Sequence, residues 1–237
     1  MKSYYCLYFI FLTTISFSQQ KTRAYLFAGE GSDERIFSKI KLDSSFETVS
    51  INFPVPGKRT SMTDYSRIIS KQIDTSGPYI FIGVSLGGMI CTELADYMKP
   101  EKIIIISSAK CRSVLPSRYK FMKILPLNKL IPKSVVKFEG RVLQPIVEPD
   151  RNKNKATFKS MMKNKNKTFM KRTVNMIINW DRQVYSDKIV HIHGTNDHTL
   201  PIKNIKTNYI IKNGSHMITL TRGDEINTLI NSILQNN

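Results

Sequence analysis

The chain has 237 residues, 41% of them apolar or aromatic, enough for one core of ordinary size in one globular unit. Its formal charge of +18 raises nucleic acid or an anionic membrane as partners, but the charge is not spread evenly. Between Lys110 and Arg172, 18 Lys and Arg stand against three acids, Glu139, Glu148 and Asp150, while the rest of the chain is nearly neutral. The runs Asn152 to Lys155 and Lys163 to Lys167 read as a solvated face written by compositional bias, or as a surface for an anionic partner. No nucleic-acid-reading motif is present, so nucleic acid is not expected.

Lys2, an apolar stretch from Tyr4 to about Ile15, and then Ser16-Phe17-Ser18 form the pattern of a secretory signal peptide. Residues 1–18 are expected to be removed before Gln19, giving a secreted or periplasmic protein with no transmembrane domain. A retained N-terminal anchor is the alternative reading. Cleavage takes Cys6 with it and leaves Cys91 and Cys111, for which two separate thiols are favoured over a disulfide.

The mature chain opens with a short apolar run, Arg23 to Phe27, a Gly-rich turn through Ala28 to Asp33, and a helical start at Glu34, which Asp33 or Ser32 can cap. Glu47 to Phe53 alternates as a second strand. Ser61 to Asp74 carries an apolar stripe at helical spacing. Tyr79 to Ile82 is a continuous apolar run, as in a strand buried on both faces, and a helix follows from Gly87 to Tyr97. Lys102 to Ser107, Lys188 to His193 and Asn208 to Ile211 supply three more strands, and Glu225 to Leu234 a closing helix.

Strands alternating with helices predict an α/β fold: an open, mostly parallel sheet with helices on both faces. Residues 19–108 and 186–237 form its core, and residues 109–185 break the pattern. Pro116, Pro126, Pro132, Pro145 and Pro149 punctuate the break, and Thr157 to Trp180 reads as helix. This predicts a basic, largely helical lid inserted into the core.

The sequence Gly83-Val84-Ser85-Leu86-Gly87 lies between a strand and a helix. A sharp turn there presents the Ser85 hydroxyl, and glycines two residues to either side avoid the clash the turn creates. Serine is a poor nucleophile at neutral pH, so a histidine must take its proton and an acid must hold that histidine. Of four histidines, His191 and His193 fall within a strand and His198 in a turn, while His216 sits in a loop after the last strand. Asp197 follows the fifth strand at the same sheet edge, whereas Asp187 lies at the wrong end of its strand and Asp181 near the insert. Catalytic candidates are therefore Ser85, Asp197 and His216. His191 and His193 lack a third convergent ligand, so neither a metal nor another cofactor is expected.

These residues, in the chain order Ser, Asp, His, resemble the α/β-hydrolase superfamily of esterases, lipases and acyl-transfer enzymes. The resemblance covers Ala24 to Ser107 and resumes at Lys188. It implies the α/β-hydrolase fold, with Ser85 as nucleophile, Asp197 as acid, His216 as base, and the backbone N–H groups of Glu30 and Leu86 as oxyanion donors. Ala28 stands where a histidine often precedes the oxyanion glycine, and the first two strands of larger members are missing. The expected function is cleavage of a carboxylic ester, with a thioester or amide a weaker fit, on a small-molecule acyl substrate. An acyltransferase, or a non-catalytic protein binding an anionic surface through the insert, are the alternatives. Met161, Met162, Phe169, Met176 and Trp180 are candidates to line the acyl pocket, with packing in the lid core the commoner role for such side chains.

Overall fold

A computed structural model describes residues 20–124, 154–164 and 166–235. The expected signal peptide and the stretch from Pro126 to Pro149 lie outside them. Six strands form one sheet: β1 (Thr22–Phe27), β2 (Phe46–Ser50), β3 (Tyr79–Val84), β4 (Lys102–Ile106), β5 (Ile189–Gly194) and β6 (Tyr209–Ile211). Every pairing is parallel and the spatial order is β2-β1-β3-β4-β5-β6. All carboxyl ends therefore share one edge. The order reverses between β1 and β3, so a crevice opens where the loops after those two strands diverge.

Alternation along the strands divides the core. Tyr25, Phe27, Tyr79, Phe81, Ile103, Ile105 and Ile189 face α1 (Met62–Ser70) and α2 (Leu86–Leu94). Ala24, Leu26, Ile80, Ile82, Ile104, Ile106 and Ile192 face the other layer. The isoleucine run of β4 is buried on both sides, at 5% exposure or less for each residue. Burying an isoleucine is worth about 1.5–3 kcal/mol, so a strand of this composition is stable only between two helical layers. Helix α1 begins where the Ser61 hydroxyl accepts the Asp64 N–H, at 3.0 Å.

After β4 the chain makes a short 3-10 turn, Arg112–Val114, and α3 (Ser117–Ile124) starts directly behind Pro116. The single helix expected over Thr157 to Trp180 is two, α4 (Lys155–Asn164) and α5 (Lys167–Asn179). The Asn166 side chain accepts the N–H groups of Thr168 and Phe169, so it starts a new helix in the middle of the Lys-Asn run. Phe169, Met170, Met176, Ile177 and Trp180 join the core layer of α1 and α2, while Met161 joins the opposite one. The chain closes with α6 (Ile218–Thr221) and α7 (Gly223–Gln235) on that second layer. The Glu34 start is one short 3-10 turn, Glu34–Phe37, capped by Asp33. Cys91 and Cys111 are separate buried thiols. Among the described residues no helix is long and apolar enough to cross a membrane.

Candidate active site

The backbone of Ser85 is forced into an unusual conformation by the turn from β3 into α2. Its φ is 52°, a left-handed value that costs a non-glycine residue about 1–3 kcal/mol. The surroundings hold it there. Its N–H donates to the Ile106 carbonyl at 3.0 Å, and its carbonyl accepts the Ser108 hydroxyl at 2.7 Å and the Met89 N–H at 3.1 Å. The flanking glycines are a matter of space: a Cβ at Gly83 would lie 2.7 Å from the Gly87 backbone, and one at Gly87 would lie 2.1 Å from the Phe27 carbonyl oxygen. The β3 turn is thus pressed against the end of β1.

His216 reaches Ser85 from the loop after β6, its Nε2 2.9 Å from Ser85 Oγ. On its other side, Nδ1 lies 2.7 Å from Asp197 Oδ2. The loops that carry the pair are sewn together by the backbone. Asn196 N–H donates to the Gly214 carbonyl at 2.8 Å, Thr195 N–H to the Ile211 carbonyl at 3.0 Å, and Asn213 N–H to the Thr195 hydroxyl at 2.8 Å. Asp197 is 2% exposed, and its Oδ1 accepts the N–H groups of Thr199 and Leu200 at 2.9 and 2.7 Å. Burial disfavours its charge, but the facing His216 and His193 rings outweigh that, and the carboxyl is held well below its ordinary range.

The loop after β1 passes beside the serine. A Cβ at Gly29 would stand 3.2 Å from Ser85 Cβ, and the Gly29 carbonyl accepts the Ser32 hydroxyl at 3.0 Å. Glu30 follows, its side chain accepting the Thr173 hydroxyl of α5 at 2.7 Å. Leu86 is the first residue of α2, where helix geometry leaves an N–H without an intrahelical acceptor.

Ser85, Asp197 and His216 are thus brought together, with Glu30 on the loop after β1 and Leu86 at the start of α2. The rival acids lie elsewhere: Asp181 within electrostatic reach of Arg112, and Asp187 of Lys110. His193 is buried beside Asp197, with Nε2 3.3 Å from Oδ2. Three contacts were not legible in the sequence: Ser108 on the Ser85 carbonyl, Thr173 on Glu30, and His193 on Asp197. A serine just past the strand beside β3 was the only available hint of the first. Of the pocket candidates, Met161, Phe169, Met176 and Trp180 are buried in the core, and Met162 lies outside the described side chains.

No family model and no curated protein sequence matches the chain. Solved structures do. An esterase from Thermogutta terrifontis superposes with a TM-score of 0.70 at 12% identity, covering 91% of this chain and 90% of its own. The enol-lactonase from Burkholderia xenovorans gives 0.69 at 13% identity, with 91% and 92% covered, and an esterase from Exiguobacterium antarcticum 0.65 at 13%, with 92% and 93%. The chain has the α/β-hydrolase fold.

Proposed function

We propose that the protein is a serine hydrolase that cleaves a carboxylic ester through an acyl-enzyme on Ser85. The hydrogen-bonded line from Ser85 Oγ through His216 to Asp197, at 2.9 and 2.7 Å, carries this reading. His216 Nε2 takes the hydroxyl proton as Oγ bonds to the ester carbonyl carbon, and returns it to the departing alcohol when the acyl–oxygen bond breaks. Water then repeats the step: it gives a proton to His216 as its oxygen bonds to the acyl carbon, and His216 passes that proton to Ser85 Oγ as the acyl-enzyme bond breaks and the acid leaves. Leu86 and Glu30 supply backbone N–H groups to the oxygen that becomes negative. An alcohol in place of that water would make the same site an acyltransferase. The esterases and the enol-lactonase of like fold also support acyl–oxygen chemistry.

We read α3 and α5 as the cover of this site. Arg118 of α3 donates to the Thr199 carbonyl, next to the Asp197 turn, and Thr173 of α5 holds Glu30. The test is a series of p-nitrophenyl esters of graded chain length, assayed with the wild type and Ser85→Ala. Turnover that survives in the variant overturns the reading.

A second reading concerns the charge. A cleft of about 980 Å³ lies between the loop before α1 and helix α5; Lys58, Arg59, Lys171 and Arg172, against the one acid Asp181, line it together with Met176 and Trp180. This composition suits an amphiphile with an anionic head. Trp180 is the only tryptophan, so its fluorescence reports occupancy. Binding to anionic vesicles that does not weaken with salt removes the electrostatic reading.

A further inference from the structure

We infer that His193 is a positioning residue for Asp197, and that His191 behind it fixes which ring nitrogen of His193 carries the proton. The inference rests on the hydrolase reading and extends it one step behind the acid. Both rings leave the same face of β5, two residues apart, and both are 0% exposed.

The proton positions follow from the partners. His193 Nε2 lies 2.8 Å from the Leu200 carbonyl oxygen, which can only accept, so Nε2 carries a proton. The same nitrogen is 3.3 Å from Asp197 Oδ2. Its N–H edge therefore faces two oxygens of the Asp197 to Leu200 turn at once. His193 Nδ1 lies 3.2 Å from His191 Nε2, an arrangement that requires one donor and one acceptor. With the His193 proton on Nε2, His191 Nε2–H donates and His193 Nδ1 accepts.

On this assignment His191 Nδ1 carries no proton; it is buried, and among the described residues no hydrogen bond to it meets ordinary geometry. Burial first, then His193 and Lys110, pushes His191 well below its ordinary range against the opposing pull of Asp197 and the Lys206 backbone, so the ring stays neutral.

The consequence falls on Asp197 Oδ2, which faces His216 on one side and His193 on the other. His193 takes up part of its charge and fixes its direction, so His216 meets an oriented, partly satisfied carboxylate. Without that N–H, Oδ2 would attract the His216 proton more strongly and point less accurately. The other charged and titratable groups around this cluster are Lys110 behind His191, Arg118 and Tyr119 of α3, and Glu30.

The test compares His193→Phe, which keeps a flat ring and removes the N–H, with His193→Gln, whose amide N–H falls near the Nε2 position. In the pH profile of kcat/KM for p-nitrophenyl acetate, His193→Phe is expected to raise the acid limb by about one unit. It should also lower kcat about tenfold through lost orientation. His193→Gln should restore most of both. A loss that is equal at every pH with the limb unmoved, or no rescue by glutamine, overturns the proposal.

Should His193→Phe not fold, ¹⁵N-resolved NMR of the wild-type histidine rings decides. Protons on Nε2 of both His191 and His193 support the assignment, and a proton on Nδ1 of either ring overturns it. That spectrum needs no turnover. A hydrolase reading lost to an active Ser85→Ala variant is thereby kept distinct from a positioning role lost to the wrong tautomer.

Discussion

Ser85 Oγ and His216 Nε2 stand 2.9 Å apart although 131 positions separate them in the chain. The distance is set by two loops at the same sheet edge, one leaving β3 and one leaving β6. Neither residue is held by its own sequence neighbours alone: Ser108 fixes the first loop and the Asn196 to Gly214 hydrogen bond ties the second to the Asp197 turn.

Asp197 is the acid of the proposed triad, and its substitution is the first test. Asp197→Asn offers His216 Nδ1 an amide in place of a carboxylate, which favours the wrong tautomer of the ring. We expect kcat to fall about 10⁴-fold with the fold intact. Steady-state assays with a p-nitrophenyl ester, alongside circular dichroism, check this, and a loss under tenfold would remove Asp197 from the role.

Asp197 also links stability to pH. Its carboxyl is held below the ordinary 3.8 when folded, so its charge stabilises the fold above that value, and the contribution is lost as pH falls toward the lower folded value. The wild-type melting midpoint should therefore drop relative to that of Asp197→Asn once pH goes below about 4. Parallel midpoints from pH 6 down to pH 3 would contradict it.

The close approach at the serine turn predicts a packing effect. Gly87→Ala places a Cβ 2.1 Å from the Phe27 carbonyl oxygen, backbone against backbone, with no side chain able to give way. Destabilisation of about 3 kcal/mol or more is expected from overpacking at this site, read by urea unfolding.

A further tie joins α2 to the segment after α5. Glu93, 4% exposed, accepts Trp180 Nε1–H at 2.8 Å and the Thr63 hydroxyl at 2.7 Å, and lies 3.5 Å from Arg182. Removing it leaves a buried N–H and part of a guanidinium uncompensated. Glu93→Ala should cost about 3 kcal/mol in urea unfolding, and a cost under 1 kcal/mol would show that the network relaxes.

Much of this was legible in the residues. The four isoleucines of β4 and the apolar run of β3 state their burial directly, and Gly83-Val84-Ser85-Leu86-Gly87 states its turn. The break between α4 and α5 was hidden because lysine and asparagine repeat on both sides of Asn166, so the capping residue looks like its neighbours. Helix α3 was missed because Pro116 was read as an interruption of the chain, when it stands directly before a helix. The place of His193 within a strand is legible, but its contact with Asp197 depends on where the turn at Leu200 returns. That return is tertiary and leaves no periodic trace.

In the proposed reaction Ser85 Oγ is an activated nucleophile. A fluorophosphonate probe, which phosphonylates activated serines, tests it, with Ser85→Ala assigning the site. Intact-mass analysis should show a single adduct on the wild type, lost in Ser85→Ala and strongly slowed in His216→Ala. A folded wild type that takes up no probe, or a Ser85→Ala variant that is still labelled, would rule out Ser85 as the nucleophile.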